Sequence, residues 1–479
     1  MPLPNFYHHI HRTLLQQAEQ VLLVWPGGAT AGLATAYTGR DLGQRIAAYQ
    51  QLLRKHNTRA GQPVLLGLPV GAELICGLLA VMSLGAVPVL PPAGASAVGV
   101  LGLLRRNGVG AALVPNKSAR RYNWLLRGLG VRLLGAPQHL GTAELLPPQA
   151  VPATQPALVS HSSGSTGQAK AIRRSHAVLT AQHEVLKQVF PPWPGQRDFP
   201  LFPNVLLHNL AVGALSVLPD VPWGQLANLQ PARLVQQLQT TQAETLTGNV
   251  FYFAALCGYL EQHHPTPLPH VRALGVGGSP VPESLLQRLR SCFAGAAVYV
   301  IYGSSEAEPI AVRLAEAPTN PRSGYCVGPV QAGLSCRLQP LGVVELPNGT
   351  QHQVGEVCVQ GAHVAAEPGT WLHTGDFGYL DAQGLLWLTG RKGNEAICQG
   401  VQHYQVEHVL CSLPGMERAA ARATPTGFDV YYQGTVSDAA VRTALAQHFP
   451  VGLCNRILRR QHLPVDSRHL SKILYHQLR

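Results

Sequence analysis

The sequence predicts an α/β protein whose large N-terminal domain holds parallel-rich sheets with helices plus a small barrel-like sheet, followed by a small α+β C-terminal domain. Three observations carry this expectation. Short apolar runs alternate with helix-length stretches through the first two thirds of the chain, the rhythm of parallel strands joined by helical crossovers. After Gly303 the texture changes to strand-like pieces separated by Gly and Pro, which suits an antiparallel sheet or small barrel. The last stretch returns to mixed helix and strand, so the domain boundary is expected at 391, giving domains 1–391 and 392–479. A length of 479 residues accommodates that organisation at ~150 residues per domain.

Taken in order, GRDLGQRIAAYQQLLRKH spaces its apolar residues three and four apart and predicts a helix over 39–56. PVLLGL predicts a buried strand, ELICGLLAVMSLG a buried helix and AVPVLPP the next strand. QHLGTAELLPPQAVPATQPA (138–157) is rich in Pro and small residues and reads as a linker or long surface loop. ALVSHSSGSTG, from Ala157, predicts a short strand running into a Gly/Ser turn. LVQQLQTTQ and SLLQRLRSCF read as helices, and ETLTGNV and AAVYVIYG as strands. GEVCVQG and LLWLTGR supply strands of the second sheet. In the terminal domain a helix is expected near YQVEHVLCSL, strands near RAAARATP and FDVYYQGTV, a helix at SDAAVRTALAQHF and a last strand at ILRRQHLPV.

Composition excludes several classes. The chain is 46% hydrophobic and 13% charged, against about 25% charged in ordinary soluble proteins, so it is neither disordered nor fibrous. Its formal charge is +12, and with only six Lys the surplus is Arg. Such a surplus attracts anions such as nucleotides and carboxylates. No run of five or six basic residues and no recognition motif accompanies it, so no specific nucleic-acid partner is expected. Nine Cys without a CxxC pair read as free buried thiols in a reducing compartment, and the 21 His show no zinc-ligand spacing. MPLPNFYHHIHRTLLQQAEQ lacks the apolar stretch of a signal peptide. The apolar region from Val64 to Leu104 is broken by Pro69, Glu73, Pro88 and Pro91, so it reads as strand, helix and strand rather than a transmembrane segment. A cytoplasmic protein is expected.

Four segments carry chemistry. In SSGSTGQAK (162–170), the residues Ser162, Ser163, Gly164, Ser165, Thr166 and Gly167 precede Lys170 directly after a strand. Backbone N–H groups and hydroxyls of such a turn can surround phosphate oxygens, with Lys170 as a point charge. A Gly/Ser linker has similar composition, but Lys is scarce in this chain and a linker has no need of one there. No Gly-Lys-Ser/Thr ending and no GxSxG elbow occurs. In YGSSEAEP (302–309), Tyr302 can stack on a base, Ser305 can bond a phosphate and Glu306 can hold Mg²⁺, a hard ion that prefers oxygen. A strand-ending turn with a solvated Glu fits the same string. In HTGDFGYLDAQGLLWLTGRKGNEAI (373–397), Asp376 can accept from ribose hydroxyls or simply cap a turn, DAQG is a hairpin signal, and Arg391 ends the strand. Lys472, in VDSRHLSKI, is by position alone a solvated terminal Lys.

Order and spacing together resemble the adenylate-forming (AMP-binding) superfamily of acyl-CoA synthetases, luciferases and peptide-synthetase adenylation domains. SSGSTGQAKA stands for the family's SSGSTGxPKG, YGSSE for YGxTE, Thr374-Gly375-Asp376 for TGD, Gly390-Arg391 for the GR that opens the hinge, and Ser471-Lys472 for the final GK. The loop GGSPVP, with Gly277, Gly278 and Ser279, resembles the adenine-side loop that precedes YGxTE. Departures are Ala169 for Pro, Ala171 for Gly, Ser305 for Thr, a shifted Ile397, a shortened AHVAAEPGTWLH, and VQHYQVE where a Pro of the coenzyme A-facing region belongs. EAEPIAV, LTGRK and PVDSRHLSKI are similar to the olefin β-lactone synthetase branch.

The resemblance implies an ATP- and Mg²⁺-dependent enzyme that adenylates a carboxylic acid, fatty or otherwise apolar. It implies that the 162–170 loop holds the β- and γ-phosphates, Ser305 touches the α-phosphate and Glu306 ligates Mg²⁺. Tyr302 with Gly303 then lies at adenine, Asp376 and Arg391 fix the ribose, and Lys472 is the catalytic cation. It also implies a mobile terminal domain turning about Lys392–Gly393. The expected second step transfers the acyl group to a thiol, coenzyme A or a carrier-protein thiol. The alternatives are closure of a β-hydroxy acid to a β-lactone and a nucleotide-binding relative without turnover.

Overall fold

The computed structural model describes residues 4–27, 34–92, 94–139, 143–162, 170–263, 267–367, 369–466 and 470–478. The chain divides into two compact units, Met1–Gly224 and Gln225–Arg479.

The first unit is built on a six-stranded sheet in the order Arg132–Gly135, Ala111–Val114, Pro63–Leu66, Val87–Val89, Pro156–Ser162, Lys170–Ser175. All neighbours pair parallel except the last two, which are antiparallel. The chain moves one way across the sheet from Pro63–Leu66 to Val87–Val89 and then reverses. Right-handed crossovers therefore place the helix before the reversal on one face and the two helices after it on the other. Helix Ala72–Ser83 joins the larger core on one face, with Cys76, Leu79, Ala80, Val81 and Met82 fully buried. Helices Ala97–Arg106 and Asn116–Arg127 share a smaller core on the other face, through Leu103, Leu104, Ala119 and Leu126. A second group of strands, Arg197–Pro200, Leu215–Val217 and Val21–Trp25, runs parallel, with Thr35–Thr38 antiparallel at its end.

The expected helix over 39–56 is Gly39–Lys55, opened by a capping box in which Thr38 and Asp41 satisfy each other's backbone N–H. The stretch expected as a linker or long surface loop is a loop, and it is strapped to this helix. Buried Gln50 donates to Ser83 Oγ (2.8 Å) and accepts from Leu146 N (2.9 Å). Gln149 N donates to Ser83 O (2.7 Å), and Val151 is buried. Its Pro content stops regular structure without making it a spacer, because the buried glutamine needs its backbone groups.

In the second unit, Thr245–Asn249, Ala273–Gly277 and Ala297–Ser304 run parallel in register, and Ala307–Leu314 returns antiparallel. A five-stranded antiparallel sheet follows in the order Tyr325–Pro329, Leu385–Arg391, Leu372–Leu380, Gln351–Gly361, Leu334–Glu345. The DAQG turn forms as expected, with Asp381 accepting from Gln383 N, Leu385 N and Trp387 Nε1. The terminal segment makes a three-stranded sheet, Met416–Thr424, Gly427–Gly434 and Cys454–Arg459, with helices His403–Cys411 and Asp438–His448. Its apolar core, including Val401, Val406, Leu410, Phe428, Val430 and Leu453, is drawn entirely from residues beyond 391.

Helix His403–Cys411 is buried from His403 to Leu410 because other elements cover both its sides. Glu407 accepts from Ala421 N (2.9 Å), while Gln405 donates to Arg322 O (2.9 Å) and His408 to Gly324 O (2.9 Å). All nine Cys are free thiols, with Cys76, Cys257, Cys326 and Cys358 buried. Among the described residues no helix is long and apolar enough to cross a membrane.

A buried ion pair pins the second unit. Glu283, at the start of helix Glu283–Cys292, meets Arg313 Nη1 (2.5 Å) and Thr319 Oγ1 (2.6 Å), and both charged side chains are buried. Removing one partner strands the other in low dielectric. Glu283→Ala is expected to cost about 3–5 kcal/mol, measured as a lower urea midpoint for loss of the second unit's structure.

Candidate active site

The carboxyl ends of strands Ala273–Gly277 and Ala297–Ser304 lie side by side, Gly277 opposite Ile301. Open α/β sheets leave their binding crevices at such ends. Gly277 is required there, since a Cβ would stand 2.4 Å from Ile301 O. Gly278 follows with φ +81°, and Ser279 Oγ is buried with no hydrogen-bond partner among the described residues. At the end of the next strand the ladder register shifts between Tyr302 and Ser304. Gly303 permits this, because a Cβ would meet Ala307 O at 2.8 Å. Ser305 and Glu306 are the two turn residues joining that strand to Ala307–Leu314. The backbone carbonyl of Glu306 accepts from Ala365 N (2.6 Å). Its half-buried carboxylate has no partner among the described residues.

Strand Leu372–Leu380 brings the third element. Thr374 Oγ1 donates to Val357 O (2.9 Å) and accepts from Asp376 N (3.1 Å). Gly375 turns with φ +75° and donates its N–H to Glu356 Oε1 (3.1 Å). The other Glu356 oxygen lies 3.0 Å from His373 Nδ1, which Cys358 Sγ also approaches at 3.4 Å. These interactions hold the Thr-Gly-Asp turn from beneath and present Asp376 rigidly. Asp376 is buried and directly opposite Arg391 in the ladder. One carboxylate oxygen pairs with Arg391 Nη1, and the other accepts from the Tyr302 hydroxyl at 2.9 Å. Burial and then the Asp376 carboxylate push the Tyr302 hydroxyl well above its ordinary pKa, so it stays a donor. The same carboxylate raises Arg391, which stays a cation. Asp376 is thus the hub of a three-residue cluster, not a turn cap.

The structure therefore joins Tyr302, Asp376 and Arg391 directly. Chain continuity and the Gly277–Ile301 register set Gly277, Gly278, Ser279, Gly303, Ser305 and Glu306 beside them. The phosphate-loop candidates Ser163, Gly164, Ser165, Thr166 and Gly167 lie outside the described residues. Ser162 ends one strand and pairs with Lys170, which opens the next; Lys170 is exposed. Lys170 thus belongs to a strand rather than to the turn. Lys472 is exposed in the tail, its backbone N–H on Asp466 Oδ1 (2.9 Å) and its carbonyl accepting from Asp466 N (2.9 Å).

Three residues not anticipated from the sequence connect the tail to the site strand. Arg391 N donates to His403 Nε2 (2.9 Å), so His403 Nδ1–H donates to Glu407 Oε1 (3.0 Å). Glu407 also accepts from the hydroxyl of Tyr475, three residues beyond Lys472 (2.9 Å). The His-x₃-Glu spacing was visible as one helix face, but Tyr475 carried no signal. Between the anchored Arg391 and buried Asn394 lie exposed Lys392 and Gly393, the latter at φ +92° with open space where a Cβ would lie and its N–H donated to Glu395 Oε2.

Oxygen donors at Ser305 and Glu306 suit a Mg²⁺ ion. The close backbone at Gly277 and the orphan Ser279 hydroxyl suit a planar polar base. The fold and site define a class: the AMP-binding enzyme model matches residues 11–367, and the chain belongs to that family.

Within it, the chain is 29% identical over 364 residues to an olefin β-lactone synthetase of Stenotrophomonas maltophilia, the match covering 66% of this chain and 65% of that protein. The corresponding synthetase of Xanthomonas campestris is 29% identical over 366 residues, with the same coverage. The chain thus spans just under two thirds of these relatives' length. Among solved structures, O-succinylbenzoate coenzyme A synthetase of Bacillus subtilis in complex with AMP aligns over 98% of both chains, with a TM-score of 0.77 at 19% identity. At that identity the likeness shows the fold.

His408 ties the terminal helix to the unit's core and is held neutral. Its Nε2 accepts from Glu283 N (3.0 Å) while Nδ1–H donates to Gly324 O, and burial lowers its pKa from 6.5 to about 4. The unfolded chain binds this proton first, so the histidine's contribution is intact above pH 6.5 and is lost as pH falls toward 4. Up to about 3 kcal/mol is at stake. In urea titrations across that window, His408→Gln is expected to start less stable and to lose less on acidification than the parent.

Proposed function

We propose that this chain activates a carboxylic acid by condensing it with ATP to an acyl-adenylate, releasing pyrophosphate. The observation that carries the reading is the closed Tyr302–Asp376–Arg391 cluster at the strand ends of a chain in the AMP-binding enzyme family. A carboxylate oxygen attacks the α-phosphorus, one P–O bond forms, and the bond to pyrophosphate breaks. Both reactants are anionic, so the protein's task is positioning and charge neutralisation. Each Asp376 oxygen retains a free lone pair after its present bond, enough to accept from ribose hydroxyls while Arg391 and Tyr302 hold it. Ser279 meets the base edge and Tyr302 its face. Ser305 donates to the α-phosphate, and the 162–167 loop with Lys170 takes the β- and γ-phosphates. A Mg²⁺ ion on Glu306 would supply charge that offsets phosphate repulsion. Lys472 reaches the carboxylate and α-phosphate oxygens when the 392–479 domain turns about Lys392–Gly393.

For the second step we favour ring closure of a β-hydroxy fatty acid. The β-hydroxyl oxygen attacks the acyl carbon, loses its proton, and AMP departs. The olefin β-lactone synthetases among the relatives support this reading. So does the segment after Gly400, where Gln402 and His403 are committed to buried packing. Acyl transfer to coenzyme A or a carrier-protein thiol is the second reading, supported by relatives such as the putative acyl-CoA ligase of Bacillus subtilis at 25% identity. The free thiols fit a cytoplasmic site of action.

The test is acid-dependent ATP–pyrophosphate exchange and AMP release with plain and β-hydroxy fatty acids, with and without coenzyme A. AMP release with β-hydroxy acids alone, independent of thiol, is expected. Strict thiol dependence would select the second reading, and no release with any acid would leave a nucleotide-binding protein without turnover. Lys472→Ala is expected to lower exchange ~10²–10³-fold with nucleotide binding retained; undiminished exchange would reject its role. Asp376→Asn is expected to weaken nucleotide binding about tenfold, read by calorimetry.

A further inference from the structure

We propose that the face of the first unit formed by helices Ala97–Arg106 and Asn116–Arg127 is a docking surface for an anionic lipid bilayer. The inference comes from a part of the molecule remote in sequence from every site residue of the second unit, and does not rest on the function proposed above. From Leu74 to Ala143 the sequence contains no Asp or Glu, yet it contains Arg105, Arg106, Lys117, Arg120, Arg121, Arg127 and Arg132. All seven of these cations are exposed. The two helices share one core on one face of the six-stranded sheet, so their outer stripes look the same way. On one helix that stripe is Val98, Leu101 and Arg105; on the other it is Lys117, Arg121, Trp124 and Arg127, at helical three- and four-residue spacing.

The apolar members sit at the crest. Trp124 is 76% exposed and Val98 79%, and Leu101, Tyr122 and Leu129 are exposed around them. A single exposed apolar residue needs no explanation, but a cluster rimmed by cations marks an interaction face. Trp prefers the level of lipid headgroups, and Arg stems lie along apolar surface while their heads reach phosphate. Anionic headgroups attract polybasic faces, and a shallow apolar crest can enter the headgroup–acyl boundary. A nucleic-acid backbone would use the cations but gain nothing from Val98, Leu101 and Trp124, so the mixed crest favours lipid. No ion pair involves these seven cations among the described residues, which leaves their charge available to a partner.

The test is co-sedimentation of the full chain with phosphatidylcholine vesicles containing or lacking phosphatidylglycerol, over a range of salt. Binding to the anionic vesicles that weakens steeply with salt, and little binding to neutral ones, is expected. Trp124→Ala and the pair Arg120→Glu with Arg121→Glu are each expected to weaken it at least tenfold. Thermal unfolding should match the parent, since all three side chains are exposed. The milder pair Arg105→Gln with Arg106→Gln serves as an independent probe and should weaken binding several-fold. Absence of binding, equal binding to neutral vesicles, or binding that all these substitutions leave intact would overturn the proposal. So would a preference for a short DNA duplex over anionic vesicles that persists in Trp124→Ala.

Discussion

One carboxylate organises the functional edge of the second unit. Asp376 takes a charge-assisted hydrogen bond from Arg391 and another from the Tyr302 hydroxyl, and it does so with little solvent around it. Such bonds are shorter and stronger than neutral ones, and burial makes each partner depend on the others. Through them the end of a parallel sheet is joined to two strands of an antiparallel sheet far apart in sequence. The Thr-Gly-Asp turn is itself clamped from below by Glu356 and Thr374. A carboxylate clamped in this way keeps a fixed orientation.

The attachment of the terminal segment follows different physics. Its helix His403–Cys411 is buried on all sides, although it carries two His, two Gln or Glu side chains and a Tyr. Neutral imidazole accepts at one nitrogen and donates at the other, so His403 and His408 each satisfy a backbone group on one flank and another acceptor on the other. The polar interior is thereby closed without a buried net charge beyond Glu407, which takes a hydroxyl, a ring N–H and a backbone N–H. The exposed Lys392–Gly393 turn differs in having open space where a Gly393 Cβ would lie, although Lys392 N–H still donates to Gly375 O (2.7 Å).

The Arg surplus also changed meaning once the chain was folded. Read along the sequence it was scattered, with no run long enough to mark a partner. Two crossovers running the same way after the sheet's reversal set two successive helices on one face, which therefore carries exposed cations from both together with exposed Trp124. Charge patterning is a property of surfaces, and a crossover rule created this one.

How much of this was legible beforehand follows the range of the forces involved. Local periodicity and turn chemistry gave the helix at Gly39–Lys55, the strands within Gln351–Gly361 and Leu385–Arg391 and the Asp381 hairpin, since each depends on residues a few positions apart. The motif residues Tyr302, Glu306, Asp376 and Arg391 were visible because glycines and hydroxyls at strand ends are unusual enough to read. The stretch 143–155 is a surface loop, one of the two forms its composition suggested, but its attachment was not legible because the partner, Gln50, lies about a hundred residues away. By itself, then, the amino-acid order determined the kind of elements, the family and the residues able to do chemistry. The tertiary structure alone decided that Asp376 is shared by Tyr302 and Arg391, that Tyr475 and His403 meet at Glu407, and that two helices pool their charge. Those outcomes depend on distances between chain-remote groups, which only packing sets.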